Sequence, residues 1–442
     1  MTASQSTPDK RLVAARALLA DIGKVYDLGL PVVLWDGSQV MLGAERRHPT
    51  LRLHIRDAGA LSSLLRRPKL DTILKLHAAG AVDLSGGTLL DLAPLRPKVK
   101  PKALIKAIGM GRLAALGLPL LLGKGVQAGQ RFDGAGRPLS LQSGGDSSAD
   151  IQFHYDLSNE FYQLFLDERM VYTCAYFAED HGDLARAQAD KLEMICRKLR
   201  LQPGERLLDI GCGWGALLIH AAQHHGAIGH GVTLSVAQRD LALERITAAG
   251  LADKITIDLI SYEAVTGPYD KIASIGMFEH VGFAGHEAYF STVSRLLKPG
   301  GLYLHHTITR RGRVDLTKFK RKKPEYEAMT RYIFPGGEVD HIGHSAAMLE
   351  QHGFEVHDVE GWRAHYARTT ALWCERLAAR RNEAEALVGA ERTRIWLAYL
   401  GGVSLAFSRG SLSIFQTVAS KRRRDGHDLS LNVPWSRGDL YR

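Results

Sequence analysis

The stretch from Leu207 to Gly215 constrains the fold of this chain more than any other part of its sequence. Its apolar residues, followed by glycines at alternate positions, predict a strand that runs into a tight turn and then into a helix. Gly211 and Gly213 leave bare backbone against which a bound molecule can lie, and the amides that open the helix point towards that molecule. The stretch therefore predicts a ligand-binding turn at the end of a strand.

Two ligand classes fit this turn. Gly211, Gly213 and Ala216 satisfy the spacing of a dinucleotide-binding turn. However, Asp209 stands where a carboxylate can meet a cationic amino group, and the next strand ends at Thr233 without the acid that usually binds a ribose diol. These two details favour S-adenosylmethionine, which carries a sulfonium and no pyrophosphate. A dinucleotide and a purely structural turn stay open on the spacing alone.

Strand and helix patterns alternate after about residue 151, and this alternation predicts an α/β fold. The predicted strands run from Arg206 to Ile210, Ala227 to Thr233, Ile255 to Leu259, Lys271 to Ser274 and Gly301 to Thr307. Such an order is typical of a doubly wound, mostly parallel sheet, which binds its ligand at the carboxyl ends of the strands. Residues that follow these strands should therefore line one crevice.

The chain divides into three predicted parts. Residues 1–92 form a small α+β domain, and residues 93–150 form a basic amphipathic segment followed by a Gly- and Ser-rich linker. Residues 151–442 form the large α/β domain. Within it we expect a basic insertion at 310–349 to cover the crevice, and a helical tail at 371–400.

The formal charge of +10 and the pI near 9.4 favour an anionic partner. The basic and apolar segment at 95–130 suits either a membrane surface, whose phosphates the lysines would meet, or a solvated linker helix. The N-terminus lacks a signal peptide core, and the apolar run at 113–123 is shorter than the ~20 residues of a spanning helix. The four cysteines lack zinc-site spacing. We therefore expect a cytoplasmic protein with reduced thiols and no metal.

Several further motifs occur together with the glycine-rich turn. They lie at residues 153–159, 172–177, 231–235, 276–282, 306–308 and 365–369. With these motifs in this order, the chain from about residue 151 resembles the cyclopropane-fatty-acyl-phospholipid synthases and the related mycolic acid methyltransferases. The resemblance implies a class I methyltransferase sheet. It also implies methyl transfer from S-adenosylmethionine to the double bond of an unsaturated phospholipid acyl chain.

The resemblance also implies which positions contact the cofactor. Asp209 joins them on the local argument given above. The other positions are Tyr172, Thr173, Gly211, Gly213, Thr233, Leu234, Gln238, Tyr262 and Glu263.

A second set of positions is implied for a bound bicarbonate, which removes a proton from the new methyl group so that a cyclopropane ring closes. Glu279, His306 and Tyr366 would hold this anion through their side chains, and Cys174 and Ile308 mainly through their backbone. A thiolate nucleophile at Cys174 is a different proposal. We reject it because the surroundings of Cys174 in the sequence are aromatic and apolar, which raises the pKa of a thiol.

Several expectations accompany this activity. We expect an anionic membrane surface as the site of action and no nucleic-acid partner, and the family implies a homodimer. Two rival functions stay open. One has the same fold and cofactor but gives a methyl-branched, methylene or hydroxylated acyl product. The other is a noncatalytic lipid-binding or nucleic-acid-binding module.

Overall fold

The structure, a computed structural model, describes residues 9–97, 99–126, 157–313 and 337–423, with separate positions in 315–333 and 433–441. Its internal contacts divide the chain into two compact units. Unit 1 comprises Met1–Ser140, Lys323–Met329 and Cys374–Leu405. Unit 2 comprises Leu141–Lys322, Thr330–Trp373 and Ala406–Arg442.

Unit 1 contains a small four-stranded sheet in the order β2-β1-β3-β4. Its strands are β1 (Leu30–Val33), β2 (Gln39–Leu42), β3 (Arg52–Ile55) and β4 (Val82–Ser85). Strands β1 and β2 form a hairpin, because they pair antiparallel across a turn at Asp36 and Gly37. The helices that accompany this sheet are Lys10–Tyr26, Ala58–Arg66, Leu70–Ala78 and Leu89–Leu92.

Most of the helical tail clusters with unit 1 by its internal contacts. Its helices are Arg363–Ala379, Arg381–Val388 and Ala390–Ser408, of which residues 374–405 cluster with the N-terminal residues. Asp83 at the centre of β4 is 2% exposed. Its carboxylate pairs with Arg381 at 3.0 Å and with Arg394 at 3.5 Å. These buried ion pairs tie the tail to the small sheet.

Unit 1 also holds two apolar helices, Pro101–Ile108 and Met110–Leu121, whose axes meet at 96°. We call them the bent helix pair. One face of the pair packs inward, since Leu120 is fully buried and its carbonyl oxygen accepts from Ser62 Oγ at 2.5 Å. Among the described residues no single helix is long and apolar enough to cross a membrane, although the bent helix pair meets the criteria of length and composition when its two helices are taken together.

Unit 2 is built on a seven-stranded sheet in the order β10-β11-β9-β8-β5-β6-β7. Its strands are β5 (Arg206–Ile210), β6 (Ile228–Val232), β7 (Ile255–Asp258), β8 (Tyr269–Ile275), β9 (Leu297–Arg310), β10 (Phe354–Gly361) and β11 (Leu412–Lys421). The five strands from β5 to β9 pair in parallel, whereas β11 pairs antiparallel with both β9 and β10. The predicted α/β fold with a mostly parallel sheet is confirmed.

Apolar clusters cover both faces of this sheet, as a parallel sheet requires. On one face Leu207 of β5 belongs to the same cluster as Leu217 and Ile195, and on the other face Leu208 belongs to a cluster with Phe290. The surrounding helices are Asn159–Gln163, Leu184–Lys198, Ala216–His225, Val236–Ala248, His286–Leu296 and Ile342–Gln351. This packing leaves the carboxyl ends of the strands, and the turns that follow them, to form a site.

Strand β11 was not predicted from the sequence. Polar residues interrupt its apolar alternation, yet Gln416, Thr417 and Ser420 are all at most 1% exposed. A buried polar side chain is tolerated when it is hydrogen-bonded, and Gln416 has partners on both sides. The predicted cover at 310–349 lies partly outside the described residues.

Candidate functional site

The glycine-rich turn has the backbone conformation that its sequence predicts. Gly211, Gly213 and Gly215 have φ values of 81°, 54° and 78°, in the left-handed region that favours glycine. The amides of Gly211 and Cys212 both donate to the carbonyl oxygen of Val232, at 3.0 and 3.1 Å. A Cβ at Gly211 would lie 2.9 Å from Cγ of Met277, whereas a Cβ at Gly213 would have no neighbour within 4 Å among the described residues. The turn thus presents open backbone at Gly213, as a bound nucleoside requires.

Asp209 lies at the end of β5, just before this turn, and is 3% exposed. Its Oδ1 has no hydrogen-bond partner in the described parts of the chain, and burial raises the pKa of the carboxyl group to about 7. A cationic amino group would supply the missing donor and the missing charge. The residue therefore fits the role at the amino group of S-adenosylmethionine that its sequence position favours.

A buried lysine stands near Asp209. Lys191 is 2% exposed, and burial lowers the pKa of its ammonium group to about 8 although Asp167, Cys174 and Asp209 act in the opposite direction. Its Nζ donates to Thr173 Oγ1 at 3.0 Å. Lys191 thus fixes the side chain of a predicted cofactor contact.

The other predicted cofactor contacts lie after neighbouring strands. Thr233 and Gln238 are buried, and the Thr233 hydroxyl donates to Gln238 Oε1 at 2.9 Å. Leu234 between them is half-buried. After β7, the ring of Tyr262 packs on Tyr289 at a centroid distance of 5.3 Å, and Glu263 follows in the same short turn. These positions follow β6 and β7, the strands on one side of β5, so they extend the site along one edge.

Aromatic rings stand beside the turn. Tyr172 contacts Tyr162 at a centroid distance of 5.3 Å and Trp373 at 5.1 Å, and Tyr162 contacts Trp214 of the turn at 5.2 Å. Tyr162, Trp214 and Trp373 are at most 3% exposed. This cluster, which we call the aromatic wall, excludes water from its side of the site.

Glu279 follows β8 in the short turn Phe278–His280 and is 9% exposed. Its Oε1 accepts from the amide of Ile308 on β9 at 2.5 Å, so two predicted positions are in direct contact. Its Oε2 is buried and has no hydrogen-bond partner among the residues that the structure describes. Burial is the main cause that raises the pKa of Glu279 to about 7.

His306 lies on β9, two residues before Ile308, and is 1% exposed. Its Nδ1 is 3.1 Å from Nε2 of Gln416, whose Oε1 accepts from Lys198 Nζ at 2.8 Å. Because Lys198 can only donate, it fixes the amide orientation of Gln416, whose NH₂ then donates to Nδ1. The ring proton of neutral His306 therefore sits on Nε2. This nitrogen is buried without a partner in the described residues, and burial holds the pKa of His306 well below its usual range.

Trp362, which is fully buried at the end of β10, connects the remaining predicted positions. Its ring packs edge-on against His306 at a centroid distance of 5.3 Å. Its carbonyl oxygen accepts from the amide of Tyr366 at 3.1 Å and lies 3.9 Å from Sγ of Cys174. The ring of Tyr366 packs on Phe407 at 4.7 Å. Cys174, His306 and Tyr366 are thereby gathered around one tryptophan.

Sequence reasoning missed the supporting residues Lys191, Lys198, Trp362 and Gln416. A signal for the two lysines was present, since they are seven residues apart in Leu184–Lys198 and share the face of that helix that carries Leu184 and Ile195. A lysine on an apolar helix face indicates a buried ion pair or a functional site. For Trp362 and Gln416 the sequence offers no comparable pattern.

The structure supports the rejection of a thiolate mechanism. Cys174 and Cys212 are buried, and burial raises the pKa of both thiols well above the ordinary value. We expect Cys174→Ala to keep at least about a third of wild-type kcat, because a neutral buried thiol is not a nucleophile at neutral pH. A methyl-transfer assay checks this, and loss of all activity from a folded variant would contradict it.

A stability measurement tests the burial of Glu279. Its carboxyl group has an ordinary pKa of 4.5 and a folded-state pKa of about 7, so its contribution to stability falls as the pH rises through this window. The free energy of unfolding of Glu279→Gln should therefore gain about 2.5 kcal/mol over wild type between pH 5 and pH 8. Urea unfolding of both proteins at the two pH values measures the gain. If the difference in the free energy of unfolding between the two proteins did not change with pH, the pKa of the Glu279 carboxyl group would not be raised in the folded state.

The fold and the glycine-rich turn define a class I S-adenosylmethionine-dependent methyltransferase, the class to which the similar solved structures belong. A family model described as mycolic acid cyclopropane synthetase matches residues 143–417. The chain belongs to this family, whose members transfer a methyl group from S-adenosylmethionine to lipid double bonds.

Relatives that are named for different activities share this region. A probable fatty acid methyltransferase of Pseudomonas putida is 43% identical over 294 residues, which cover 66% of this chain and 73% of the relative. The cyclopropane-fatty-acyl-phospholipid synthase of Escherichia coli K12 is 37% identical over 62% of this chain and 68% of its own. A structure of mycolic acid cyclopropane synthase CmaA1 complexed with SAH and CTAB superposes with a TM-score of 0.58 at 35% identity, over 62% of this chain and 98% of that one.

Proposed function

We propose that this protein is a cyclopropane-fatty-acyl-phospholipid synthase, which closes a cyclopropane ring at the double bond of a phospholipid acyl chain with bicarbonate as the base. The observation that carries the proposal is that two buried polar atoms, Glu279 Oε2 and His306 Nε2, have no hydrogen-bond partner within the described parts of the chain. Such atoms are costly unless a ligand satisfies them. One is an acceptor and the other is a donor, so together they fit a bound group that both accepts and donates.

The chemistry explains why this pair stands beside the cofactor. An isolated alkene is a poor nucleophile, so the site must hold it in line with the methyl group and exclude water. The aromatic wall meets the second requirement. Attack of the alkene on the methyl group would form a carbon–carbon bond, break the bond between that methyl group and the sulfonium of the cofactor, and leave a carbocation. The cation would close to a ring when the base takes a proton from the new methyl group. A strong nucleophile at this place would trap the cation instead.

Bicarbonate fits the residues present and would supply a weakly nucleophilic base. Its anionic oxygen suits the Nε2 proton of His306, and its hydroxyl group suits the carboxylate of Glu279. Glu279 is itself held by the amide of Ile308, and His306 by the chain of bonds from Lys198 through Gln416. Tyr366 and Cys174 contribute to the same pocket in the proposal. The roles assigned to these residues stay predictions.

The product of the reaction tests the proposal directly. The protein is expressed in a bacterial host that lacks its own synthase, and phospholipid acyl chains are examined by mass spectrometry and NMR. We expect acyl chains heavier by one CH₂ with the upfield proton signals of a cyclopropane ring. A CH₂ gain with olefinic methylene signals, or a gain of CH₂ plus water, would contradict ring closure.

A second candidate is supported by one specific observation. The relatives include the probable fatty acid methyltransferase of Pseudomonas putida and a tuberculostearic acid methyltransferase of Mycobacterium tuberculosis, at 43% and 36% identity. The same cofactor and cation can lead to a methyl-branched alkene when a proton leaves the chain itself, or to a methylene chain when a hydride shift precedes the loss of a methyl proton. The NMR experiment above decides between the two candidates, because mass alone does not separate a ring from a methylene group.

We also propose that the protein binds peripherally to the cytoplasmic face of the membrane, and that the bent helix pair makes this contact. Met110, Leu118 and Leu122 are 70%, 57% and 78% exposed, and the exposed Lys102 and Lys106 stand in the same pair. Apolar side chains beside lysines suit the interface of an anionic bilayer. A homodimer remains an expectation of the family resemblance.

The membrane proposal predicts a binding defect. Leu118→Ser combined with Leu122→Ser should weaken binding to anionic phosphatidylglycerol vesicles by about 10-fold or more, since two exposed leucines lose their burial in lipid. Wild-type binding should also weaken as salt rises. Vesicle sedimentation measures both effects, with Ile73→Ser as the control because Ile73 is 46% exposed on another helix. Vesicle binding that changes neither with the salt concentration nor with the double substitution would contradict the proposal.

A further inference from the structure

Three potential metal ligands meet in unit 2 beyond the residues discussed so far. They are His286, the first residue of the helix His286–Leu296, Asp340, which bridges to Thr309 of β9, and His344 in the helix Ile342–Gln351. One ligand atom from each lies within 4.8 Å of the others. His286 and Asp340 are each 2% exposed, whereas the side chain of His344 is 40% exposed. The cluster is thus buried on one side and reachable from solvent on the other.

The hydrogen bonding of this cluster is incomplete. Asp340 Oδ2 lies 2.7 Å from His344 Nδ1 and 3.9 Å from His286 Nδ1. Neither Nδ1 nor Nε2 of His286 has a hydrogen-bond partner in the described chain. A buried imidazole whose two nitrogens lack partners is destabilising unless a ligand satisfies them. The ring stacks on Phe278 at a centroid distance of 4.3 Å, so packing holds it in this orientation.

We propose that His286, Asp340 and His344 bind a divalent transition-metal ion, with Zn²⁺ as the best match. Two imidazoles and one carboxylate are ligands that Zn²⁺ and Fe²⁺ accept. Bond lengths of about 2.0–2.2 Å in tetrahedral geometry place the ligand atoms about 3.3 Å apart. The observed separations of 2.7 and 3.9 Å lie on either side of this value. Shifts of well under 1 Å would bring these two separations to that value, and the ligand atoms of His286 and His344 lie within 4.8 Å of each other.

The electrostatics of the cluster agree with a metal. A neutral imidazole offers a nitrogen lone pair to a metal ion. The Asp340 carboxylate supplies a negative charge in a buried place. With three protein ligands, a water molecule would take the fourth position on the side of the exposed His344.

The position of the site suggests a positioning role. Two residues before Asp340, the amide of Glu338 donates to the carbonyl oxygen of Glu279 at 2.9 Å. The side chain of Glu338 accepts from the amide of Phe283 at 2.8 Å. An ion that joins Asp340 to His286 would hold the segment of Glu338 against the turn that carries Glu279. It would thereby make that turn more rigid. The metal would not itself meet the substrate.

A second cluster in unit 2 provides an internal comparison. His220, His225 and Cys196 also place ligand atoms close together. However, Nε2 of both histidines already bonds to Glu193 Oε2 at 3.0 Å, and Glu193 Oε1 accepts from Arg197 at 2.6 Å. The imidazole nitrogens that face this cluster are satisfied without an ion. We therefore assign the metal to the first cluster alone.

Metal content of the purified full-length protein tests the proposal. The protein is stripped with a chelator, dialysed against micromolar Zn²⁺ and analysed by elemental mass spectrometry and by thermal unfolding. We expect about one Zn²⁺ per chain and a Tm at least about 2 °C higher than without metal. His344→Ala, which removes an exposed ligand and should leave the fold intact, is expected to weaken Zn²⁺ binding at least about 10-fold.

Two further variants decide which cluster holds the ion. His286→Gln should also lose the Zn²⁺-dependent rise in Tm, whereas His225→Gln should keep both the stoichiometry and the rise. Wild-type protein without bound Zn²⁺ would overturn the proposal. So would binding that survives in both His344→Ala and His286→Gln but disappears in His225→Gln. Circular dichroism of each variant confirms that it is folded before its metal content is compared.

Discussion

Replacing Glu279 by Gln is expected to lower kcat about 10³-fold while the Kd for S-adenosylmethionine changes less than about 3-fold. The glutamine keeps the shape and an oxygen for the Ile308 amide, which lies 2.5 Å from Glu279 Oε1. It loses the carboxylate that would accept from bicarbonate and so fails to position the base. Glu279 is not among the predicted cofactor contacts, so we expect cofactor binding to be little affected. Turnover on vesicles of unsaturated phospholipid, and calorimetric titration with the cofactor, measure the two quantities.

A matched control and a second condition make this result specific. Glu287→Gln removes a carboxylate whose side chain is 78% exposed in the same unit, and it should leave kcat unchanged. In wild-type protein, removing bicarbonate from the assay should lower turnover, and adding it back should restore turnover. Glu279→Gln with more than a tenth of wild-type kcat, or wild-type turnover that ignores bicarbonate, would contradict the proposed base.

Replacing Asp83 by Ala is expected to lower the free energy of unfolding by about 3 kcal/mol. The substitution removes the buried counter-charge of Arg394 and leaves Arg381 with only the part-exposed carboxylate of Glu385, at 2.8 Å. The side chains of Arg381 and Arg394 are 29% and 17% exposed, so solvent compensates them only in part. Chemical unfolding followed by tryptophan fluorescence measures the loss, with Trp396 in the affected helical tail as a reporter.

The exposed acid Asp71 provides the control for this experiment. It pairs with Lys75 at 3.0 Å across one helical turn, and its side chain is 35% exposed. Asp71→Ala should therefore cost less than about 0.5 kcal/mol. An equal effect of the two substitutions would show that Asp83 does not hold the helical tail.

Local sequence patterns explain why much of the fold could be predicted. The glycine-rich turn needs a left-handed backbone conformation at Gly211 and Gly213. Glycine is the residue that adopts this conformation most readily, so the sequence alone indicates it. The strands β5 to β9 are short apolar runs between helical patterns, so their order predicts a parallel sheet. The family motifs add Glu279, His306 and Tyr366, which no local pattern singles out.

The features that could not be predicted depend on contacts between distant residues. Gln416 looks like a surface residue in the sequence, because the partners that permit its burial lie 218 and 110 residues away. Asp83 contacts Arg381, which is 298 residues further along the chain. The clustering of the helical tail with unit 1 could therefore not be predicted from a local sequence pattern. A side chain whose burial depends on one distant partner carries no signal in its own neighbourhood.

The position of β11 has a consequence for the synthesis of the protein on the ribosome. This strand lies between β9 and β10 and brings Gln416, which sets the protonated nitrogen of His306. It follows the residues 374–405, which cluster in the other unit. In a nascent chain that ends before residue 406, β5 to β9 are therefore present but one edge of β9 is unpaired. Such a chain also lacks Gln416, which fixes the tautomer of His306. We therefore expect the His306 side of the site to form only when β11 enters the sheet, and until then that edge of β9 is open to a chaperone or to another chain.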